Sequence, residues 1–150
     1  MIGSLQITYY KGLLCSIKQK ITNGEANIAK PILLLTIIRL IERGKVLGNK
    51  IAYNDILKET YYAILKGYTD IMTPVQYSFY YMRNDGFYHI NGQTALKTPS
   101  EKYIKEYIDY AYLDPELWDL LQNPSVRDEF RKAIINHYLK EDKEQYKNEI

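Results

Sequence analysis

The stretch that decides the fold is residues 29–44, AKPILLLTIIRLIERG, an almost unbroken apolar run bounded by a proline and a glycine. Pro31 suits the first turn of a helix because it has no N–H to donate, and Gly44 suits the position after the last turn. Arg39 and Arg43 lie towards the negative end of the helix dipole. Apolar side chains surround this helix until its last turn, so it is predicted to be the central, most buried element.

Shorter helices are predicted on both sides of this element, from four-residue apolar spacing or from a capping residue. Their expected spans are about 5–20, 54–66, 100–108, 114–121 and 124–138. The first is expected to bury Leu5, Tyr9, Leu13 and Ile17. The second, capped by Asn54, is expected to bury Ile56, Leu57, Tyr61, Ile64 and Leu65.

Residues 77–90, YSFYYMRNDGFYHI, are rich in aromatic side chains and contain the turn signal Asn84-Asp85-Gly86. The stretch before the turn is ambiguous between a helical turn and a strand. Residues 87–90 read as a strand, and Asn91-Gly92 is expected to turn it into residues 94–96 as a hairpin. Phe79 and Phe87 are expected in the core.

These elements predict an α+β fold that is mostly α, a helical domain with a small antiparallel hairpin and a winged-helix-like arrangement. A chain of 150 residues is about one domain with one sizeable core. We therefore expect a single domain over residues 1–150. Its core is predicted at about 5–139, followed by an acidic C-terminal tail at about 140–150.

Charge is unevenly distributed along the chain, although the net charge is only +2. Residues 1–105 carry 14 Lys/Arg and 7 Asp/Glu, whereas residues 106–150 carry 6 Lys/Arg and 11 Asp/Glu. A basic body attracts polyanions through its summed field. Tertiary mixing of the two parts would cancel this field, so the charge pattern alone leaves both interpretations open.

Catalytic and metal-binding motifs are absent from the sequence. The two histidines are far apart, and no phosphate-binding glycine loop, nucleophile elbow or zinc-binding helix motif occurs. We therefore expect neither an enzyme nor a cofactor. The single Cys15, together with the lack of a signal peptide or a long apolar run, predicts a cytoplasmic protein without a membrane partner.

Binding is the remaining class of function. Arg83 lies beside a chain reversal, where it could reach a phosphate, and four tyrosines of the same segment could stack on bases or line a groove. These are Tyr77, Tyr80, Tyr81 and Tyr88. The alternative is that the aromatic side chains simply pack against the central helix.

Three segments together resemble one family. Residues 29–44 are similar to a His-Lys/Arg-Pro-x-Leu-Leu-Leu helix, and residues 77–90 to a Tyr-Pro-Phe-x-x-Leu-Arg-x-Asp-Gly-x-Trp segment. Residues 107–139, YIDYAYLDPELWDLLQNPSVRDEFRKAIINHYL, resemble the family's Leu-Asp-x-x-Leu-x-x-Leu-Leu-x-Asp-Pro closing helices. The family is the sulfur-binding domain of HNH-type, modification-dependent type IV restriction endonucleases, here without the HNH nuclease domain.

The resemblance implies a reader of double-stranded DNA whose surface cavity holds the sulfur of a phosphorothioate. Lys30 falls on the residue that contacts the DNA backbone, and Tyr77 on the cavity tyrosine. Three positions depart from the family pattern. Ala29 replaces a histidine, Ser78 replaces the proline whose ring forms part of the cavity, and Tyr81 stands where a small residue is common.

The DNA-binding hypothesis places Lys30, Arg83, Lys97 and Lys102 on one face near Tyr77. For Arg83 the alternative is a buried Arg–Asp pair that organises the turn. A reader without its own nuclease would act alone, as a decoy, or with a nuclease on another chain. Two other hypotheses remain open: a protein-interaction module, dimeric or bound to a partner through its tyrosines, and a pocket for a nucleotide.

Overall fold

The computed structural model describes residues 3–139; the predicted acidic tail at 140–150 lies outside these residues. The helices are α1 Ser4–Leu14, α2 Ala29–Glu42, α3 Asp55–Leu65, α4 Val75–Tyr81, α5 Glu101–Tyr107, α6 Pro115–Leu120 and α7 Pro124–Tyr138. A 3-10 helix, Met82–Asp85, follows α4 directly. The strands are β1 Ile21–Thr22, β2 Glu25–Ala26, β3 Tyr88–Gly92 and β4 Ile108–Leu113.

Helix α2 is the centre of the molecule, as predicted. Its side chains are buried except for Lys30, Arg39 and Glu42, and α3, α4 and α7 pack around it. Thr36 tolerates burial because its hydroxyl donates to the Ile32 carbonyl at 2.8 Å. Each buried leucine or isoleucine stabilises the fold by about 1.5–3 kcal/mol, so this helix contributes a large part of the hydrophobic driving force.

Helix α1 differs from the expectation in both length and facing. It ends at Leu14 rather than near Lys20, and Leu5 and Tyr9 are exposed. The buried side chains of the helix are Tyr10 and Leu14, each one residue after an expected position, so the buried face is rotated by about 100° from the expected one. The helix stops where the Tyr138 phenol donates to the Leu14 carbonyl at 2.6 Å.

A hairpin that the sequence analysis did not predict follows α1. Strands β1 and β2 pair antiparallel across Asn23 and Gly24, which have φ values of 52° and 80°. An Asn-Gly pair with positive φ at both residues is the favoured two-residue hairpin turn. The signal was therefore present in the sequence, although the flanking strands are only two residues long.

The Asn54 cap of α3 is confirmed, since its side chain accepts from the Leu57 N–H at 2.9 Å. Four of the five side chains expected to be inward are buried, but Ile56 is 44% exposed. Ile56 lies in the first turn, next to the buried Leu57, and helix geometry turns neighbouring residues to different faces.

The aromatic stretch before the turn is helical, and its 3-10 extension ends at Gly86, whose φ is 91°. Phe79 and Phe87 are fully buried, as predicted. Tyr80 and Tyr88 are also fully buried, so the hypothesis that these two rings stack on bases is wrong. The buried Tyr88 hydroxyl donates a hydrogen bond to the Phe79 carbonyl at 2.6 Å.

The pairing partner of β3 corrects a second prediction. Strand β3 pairs antiparallel with β4, and residues 94–96 form no strand. Ile108 accordingly begins β4 rather than ending the preceding helix. The Asn91-Gly92 pair, which is typical of a hairpin turn, does not reverse the chain here. Gly92 instead continues the strand and pairs with Ile108.

The predicted class, α+β and mostly α with a small antiparallel pair of strands, is confirmed. The winged-helix comparison and the single-domain boundaries stay predictions. Within residues 3–139, no helix has the combined length and apolar character needed to cross a membrane.

Replacing Gly92 with alanine should destabilise the protein by more than about 1 kcal/mol, because Gly92 has a φ of 150° and a Cβ there would lie 2.7 Å from the Ile108 Cα. Urea unfolding measures the effect. The matched control is Gly12→Ala, at an open position in α1, which should be neutral or stabilise by up to about 1 kcal/mol. Equal stability of the two variants would contradict the proposed crowding at Gly92.

Candidate nucleic-acid interface

A cleft of about 620 Å³ opens beside the N-terminal end of α2. Residues 18–20 form one wall, residues 71–73 form another, and Ala29, Pro74 and α4 form the floor. Its lining combines lysine side chains with an apolar surface. The lysines are Lys18, Lys20 and Lys30, and the apolar surface includes Ala29, Pro74 and Tyr77.

Four of the seven predicted site residues line this cleft: Lys30, Tyr77, Ser78 and Tyr81. Lys97 precedes the lining residue Thr98 and is exposed. Arg83 and Lys102 do not line the cleft. The structure therefore brings four of the predicted residues together in one cleft, and their role in binding stays a prediction.

Ser78 adds little polar surface to the cleft, because it is only 3% exposed. The phenol of the nearby Tyr61 donates to the Thr73 carbonyl at 2.8 Å. Burial raises the pKa of Tyr61, and the Ser78 side chain opposes that shift. Burial therefore keeps the Ser78 hydroxyl largely away from the surface of the cleft.

Tyr81 lines the cleft, and its phenol donates to the Lys97 carbonyl. The neighbouring Tyr80 phenol donates in the same way to the Leu96 carbonyl. The two tyrosines tether the irregular chain before α5 to α4. This tether brings Thr98 to the cleft wall.

Asp85 is the buried charge that organises the cleft, with 1% of its side chain exposed. One carboxylate oxygen accepts from Lys30 Nζ at 2.8 Å, and the other accepts from the Lys18 N–H at 2.8 Å. Asp85 therefore holds α2 and residues 18–20 together across the turn. Since Lys30 is paired and its side chain is 16% exposed, it is not the free phosphate contact that its sequence position suggested.

Arg83 has a structural role, but not the Arg–Asp pair expected from the sequence. Its guanidinium donates to the Tyr80 carbonyl at 3.0 Å and lies 4.1 Å from the centre of the Tyr80 ring. Burial raises the pKa of Tyr80, and the Arg83 charge counteracts that shift. The acidic partner expected for Arg83, Asp85, pairs with Lys30 instead.

Lys18 and Lys20 are cleft residues that the sequence analysis missed. Both are exposed, and neither has an acidic partner within 4.0 Å among residues 3–139. The sequence contains the alternating pattern Lys18-Gln19-Lys20. Because the first helix was expected to continue to residue 20, these lysines were assigned to a solvent-exposed helix and not to a site. The Tyr138 phenol accepts from the Ile17 N–H at 3.0 Å and so fixes where this segment leaves the helix.

Lys102 lies on α5 in an exposed group with Glu101, Lys105 and Glu106, outside the cleft lining. Glu101 there is paired with Lys58, which holds the pKa of the Glu101 carboxyl below its usual range. The local charge near Lys102 is therefore mixed. This position of Lys102 does not support a contact with a ligand bound in the cleft.

Across the part of the chain that the structure describes, no group of three or more His, Cys, Asp or Glu side chains could hold a metal ion. Cys15 is partly buried, with its sulfur 3.9 Å from the Ala133 carbonyl. Burial raises the pKa of the Cys15 thiol, which disfavours the reactive thiolate. The chemistry that the cleft offers is cationic and apolar contact.

The sequence matches no family model and no curated protein at a significant level. A solved structure does match the fold: the sulfur-binding domain of SprMcrA, complexed with phosphorothioated DNA. The match covers 94% of this chain and 95% of that chain, with a TM-score of 0.67 and 19% identity. The chain therefore has the fold of a sulfur-binding domain, as the three sequence segments predicted.

Replacing Asp85 with asparagine should destabilise the protein by about 1–3 kcal/mol, because the amide cannot pair with the Lys30 ammonium. Thermal or urea unfolding measures the loss. The matched control is Asp128→Asn on α7, whose carboxylate is 51% exposed and pairs with Lys132 and Arg131. That change should cost under about 1 kcal/mol. A harmless Asp85→Asn variant would show that the buried carboxylate does not organise the cleft.

Proposed function

We propose that this protein is a non-catalytic DNA-binding module and that a backbone phosphate of duplex DNA enters the cleft. The observation that carries the proposal is the combination of exposed Lys18 and Lys20 with an apolar floor at Ala29, Pro74 and Tyr77. Lysine ammonium groups attract a phosphodiester and release its condensed counterions. The shared fold with a domain solved on phosphorothioated DNA supports the same assignment.

The apolar floor favours a phosphorothioate over an ordinary phosphate. Sulfur is larger and more weakly hydrated than oxygen, so moving it into an apolar site costs less desolvation energy. Pro74 provides a proline ring at the cleft although position 78 is a serine, and Ser78 is only 3% exposed. The departures from the family pattern therefore leave a surface that suits sulfur.

The biological role that we propose is recognition of modified duplex DNA in restriction or defence. The reader would act in the cytoplasm, with cleavage carried out by an HNH-type nuclease on another chain. In this arrangement the chain needs no catalytic group of its own. Its contribution is selective attachment of the complex to marked DNA.

The first test is binding of the full chain to a fluorescent duplex, measured by polarisation over a range of salt concentrations. We expect the affinity to fall as the salt concentration rises. Lys18→Ala and Lys20→Ala should each weaken binding, and each should lower the slope of log affinity against log salt concentration by about 1 in magnitude. Lys132→Ala, at a lysine paired with Asp128 outside the cleft, is the control and should leave both values unchanged. Absence of duplex binding at low salt would overturn the proposal in favour of a protein-interaction module.

The sulfur preference is tested separately, with two duplexes that differ only in one phosphorothioate linkage. We expect tighter binding of the sulfur duplex by the unmodified chain. Tyr77→Ala should bring the affinity ratio close to 1 without changing the salt slope, because it removes apolar surface and no charge. Tyr107→Ala, at an exposed ring outside the cleft, should keep the preference. Equal binding of both duplexes by the unmodified chain would mean a general DNA-binding module.

A further inference from the structure

The outward face of the β3–β4 sheet carries a row of three aromatic rings. His89 lies opposite Tyr112 in the strand register, and Tyr110 is two residues before Tyr112 on the same face. The ring centres of His89 and Tyr112 are 5.1 Å apart, and those of Tyr112 and Tyr110 are 6.1 Å apart. The three rings thus form one continuous surface, called here the aromatic row.

The aromatic row is not part of the hydrophobic core. The opposite face of the same sheet supplies the buried side chains, among them Tyr88, Ala111 and Leu113. Tyr110 and Tyr112 are only partly buried and do not pack against the core, unlike most tyrosines of the molecule. Neither phenol has a hydrogen-bond partner among residues 3–139. Core packing therefore does not explain these two rings.

The ring of His89 is held in a fixed orientation. Its Nε2 lies 2.6 Å from one oxygen of Asp114, and the other oxygen of Asp114 accepts from the Tyr10 phenol at 2.9 Å. The His89 side chain nevertheless remains 40% exposed. A ring fixed in this way loses little conformational entropy when a ligand stacks on it.

A cation extends the aromatic row at the neighbouring edge of the sheet. Ile51 pairs with Ala111 through two backbone bonds, and the Asn49 side chain bonds both backbone groups of Leu113 at 2.6 and 2.9 Å. These contacts fix Lys50 between them, with its Nζ 5.3 Å from the centre of the Tyr110 ring. The position of the charge is therefore set by the backbone and not by the flexible side chain alone.

Three basic side chains lie on the connection that carries Lys50. Arg43 and Lys45 precede Lys50 there, and none of the three has an acidic partner within 4.0 Å in the described part of the chain. Carboxylates are present as well: Asp114 is bonded to His89, and Asp109 directly precedes Tyr110. Burial raises the pKa of Tyr10, and the charges of Asp114 and Glu116 add to that shift, so Glu116 lies on the same side as Asp114.

His89, Tyr110, Tyr112 and Lys50 are not among the residues that line the cleft. Lys30 is at the first turn of α2 and Arg43 follows its last turn, and a helix of 14 residues is about 21 Å long. The connection that carries Lys50 therefore begins at the end of α2 that is away from the cleft.

We propose that the aromatic row and the cations of residues 43–50 form a binding surface for single-stranded nucleic acid. Unpaired bases stack on Tyr110, Tyr112 and His89, while Lys50, Lys45 and Arg43 contact the backbone phosphates. Stacking on aromatic side chains beside a basic track is the general mode of single-strand binding and requires no particular sequence. Paired bases of a duplex do not expose the flat surfaces that this mode uses.

The test is polarisation binding of the full chain to a fluorescent oligothymidylate at low and moderate salt. Tyr112→Ala should weaken binding by about 5- to 100-fold, and Tyr112→Phe should retain it, because the ring and not the hydroxyl provides the stacking surface. Lys50→Ala should weaken binding and reduce its salt dependence. Tyr9→Ala, at a 61% exposed ring on α1, is the matched control and should change nothing.

Single-strand and duplex binding are separated by the same variants. We expect Tyr112→Ala to leave duplex binding unchanged, and Lys18→Ala to leave oligothymidylate binding unchanged. The proposed duplex binding can therefore be disproved while single-strand binding is confirmed, and single-strand binding can be disproved while duplex binding is confirmed. No binding of oligothymidylate at low salt, or binding that Tyr112→Ala does not affect, would overturn the inference. A dimer or protein complex lost with Tyr112→Ala, in a chain that binds no single strand, would instead assign the surface to a protein partner.

Discussion

Burial of helix α2 on nearly all sides is the constraint on which the rest of the structure depends. A helix whose middle is surrounded by apolar neighbours places its charged side chains mainly at its ends. Lys30 at one end meets Asp85 beside the cleft, and Arg43 at the other end begins the basic connection to Lys50. The cleft therefore lies beside the first of these ends, and the connection that carries Lys50 leaves from the second.

Tyrosine has two distinct roles in this molecule. In the interior, the phenols of Tyr61, Tyr80 and Tyr88 each donate to a backbone carbonyl, so a large apolar ring is buried without leaving its hydroxyl unpaired. Such bonds join segments that are far apart in the chain, as with Tyr138 and Leu14. Burial raises the pKa of Tyr138 to about 12, and the bond from the Ile17 N–H opposes the shift. On the surface, the phenols of Tyr77, Tyr110 and Tyr112 make no such bond with any of residues 3–139.

The sequence analysis was correct wherever a local signal and burial agreed. The central helix, the Asn54 cap and the two core phenylalanines are all present. It was wrong where two local signals competed, as at Asn91-Gly92, whose turn chemistry suggested a hairpin although the strand partner lies beyond α5. The segment at 77–90 contributes three predicted residues to the cleft lining, but Lys18 and Lys20 were not predicted, because they reach the cleft through the Lys18–Asp85 bond.

The sequence by itself determined the mostly helical class and the identity of the buried helix, because apolar periodicity and capping act over a few neighbouring residues. Only the tertiary structure decided which charges are free. Lys30 was expected to contact DNA but is paired with Asp85, whereas Lys18, Lys20 and Lys50 have no acidic partner among residues 3–139. It also decided which tyrosines face solvent, since strand pairing turns Tyr110 and Tyr112 outward and Tyr88 inward. Both outcomes depend on contacts between residues distant in the chain, which local patterns do not encode.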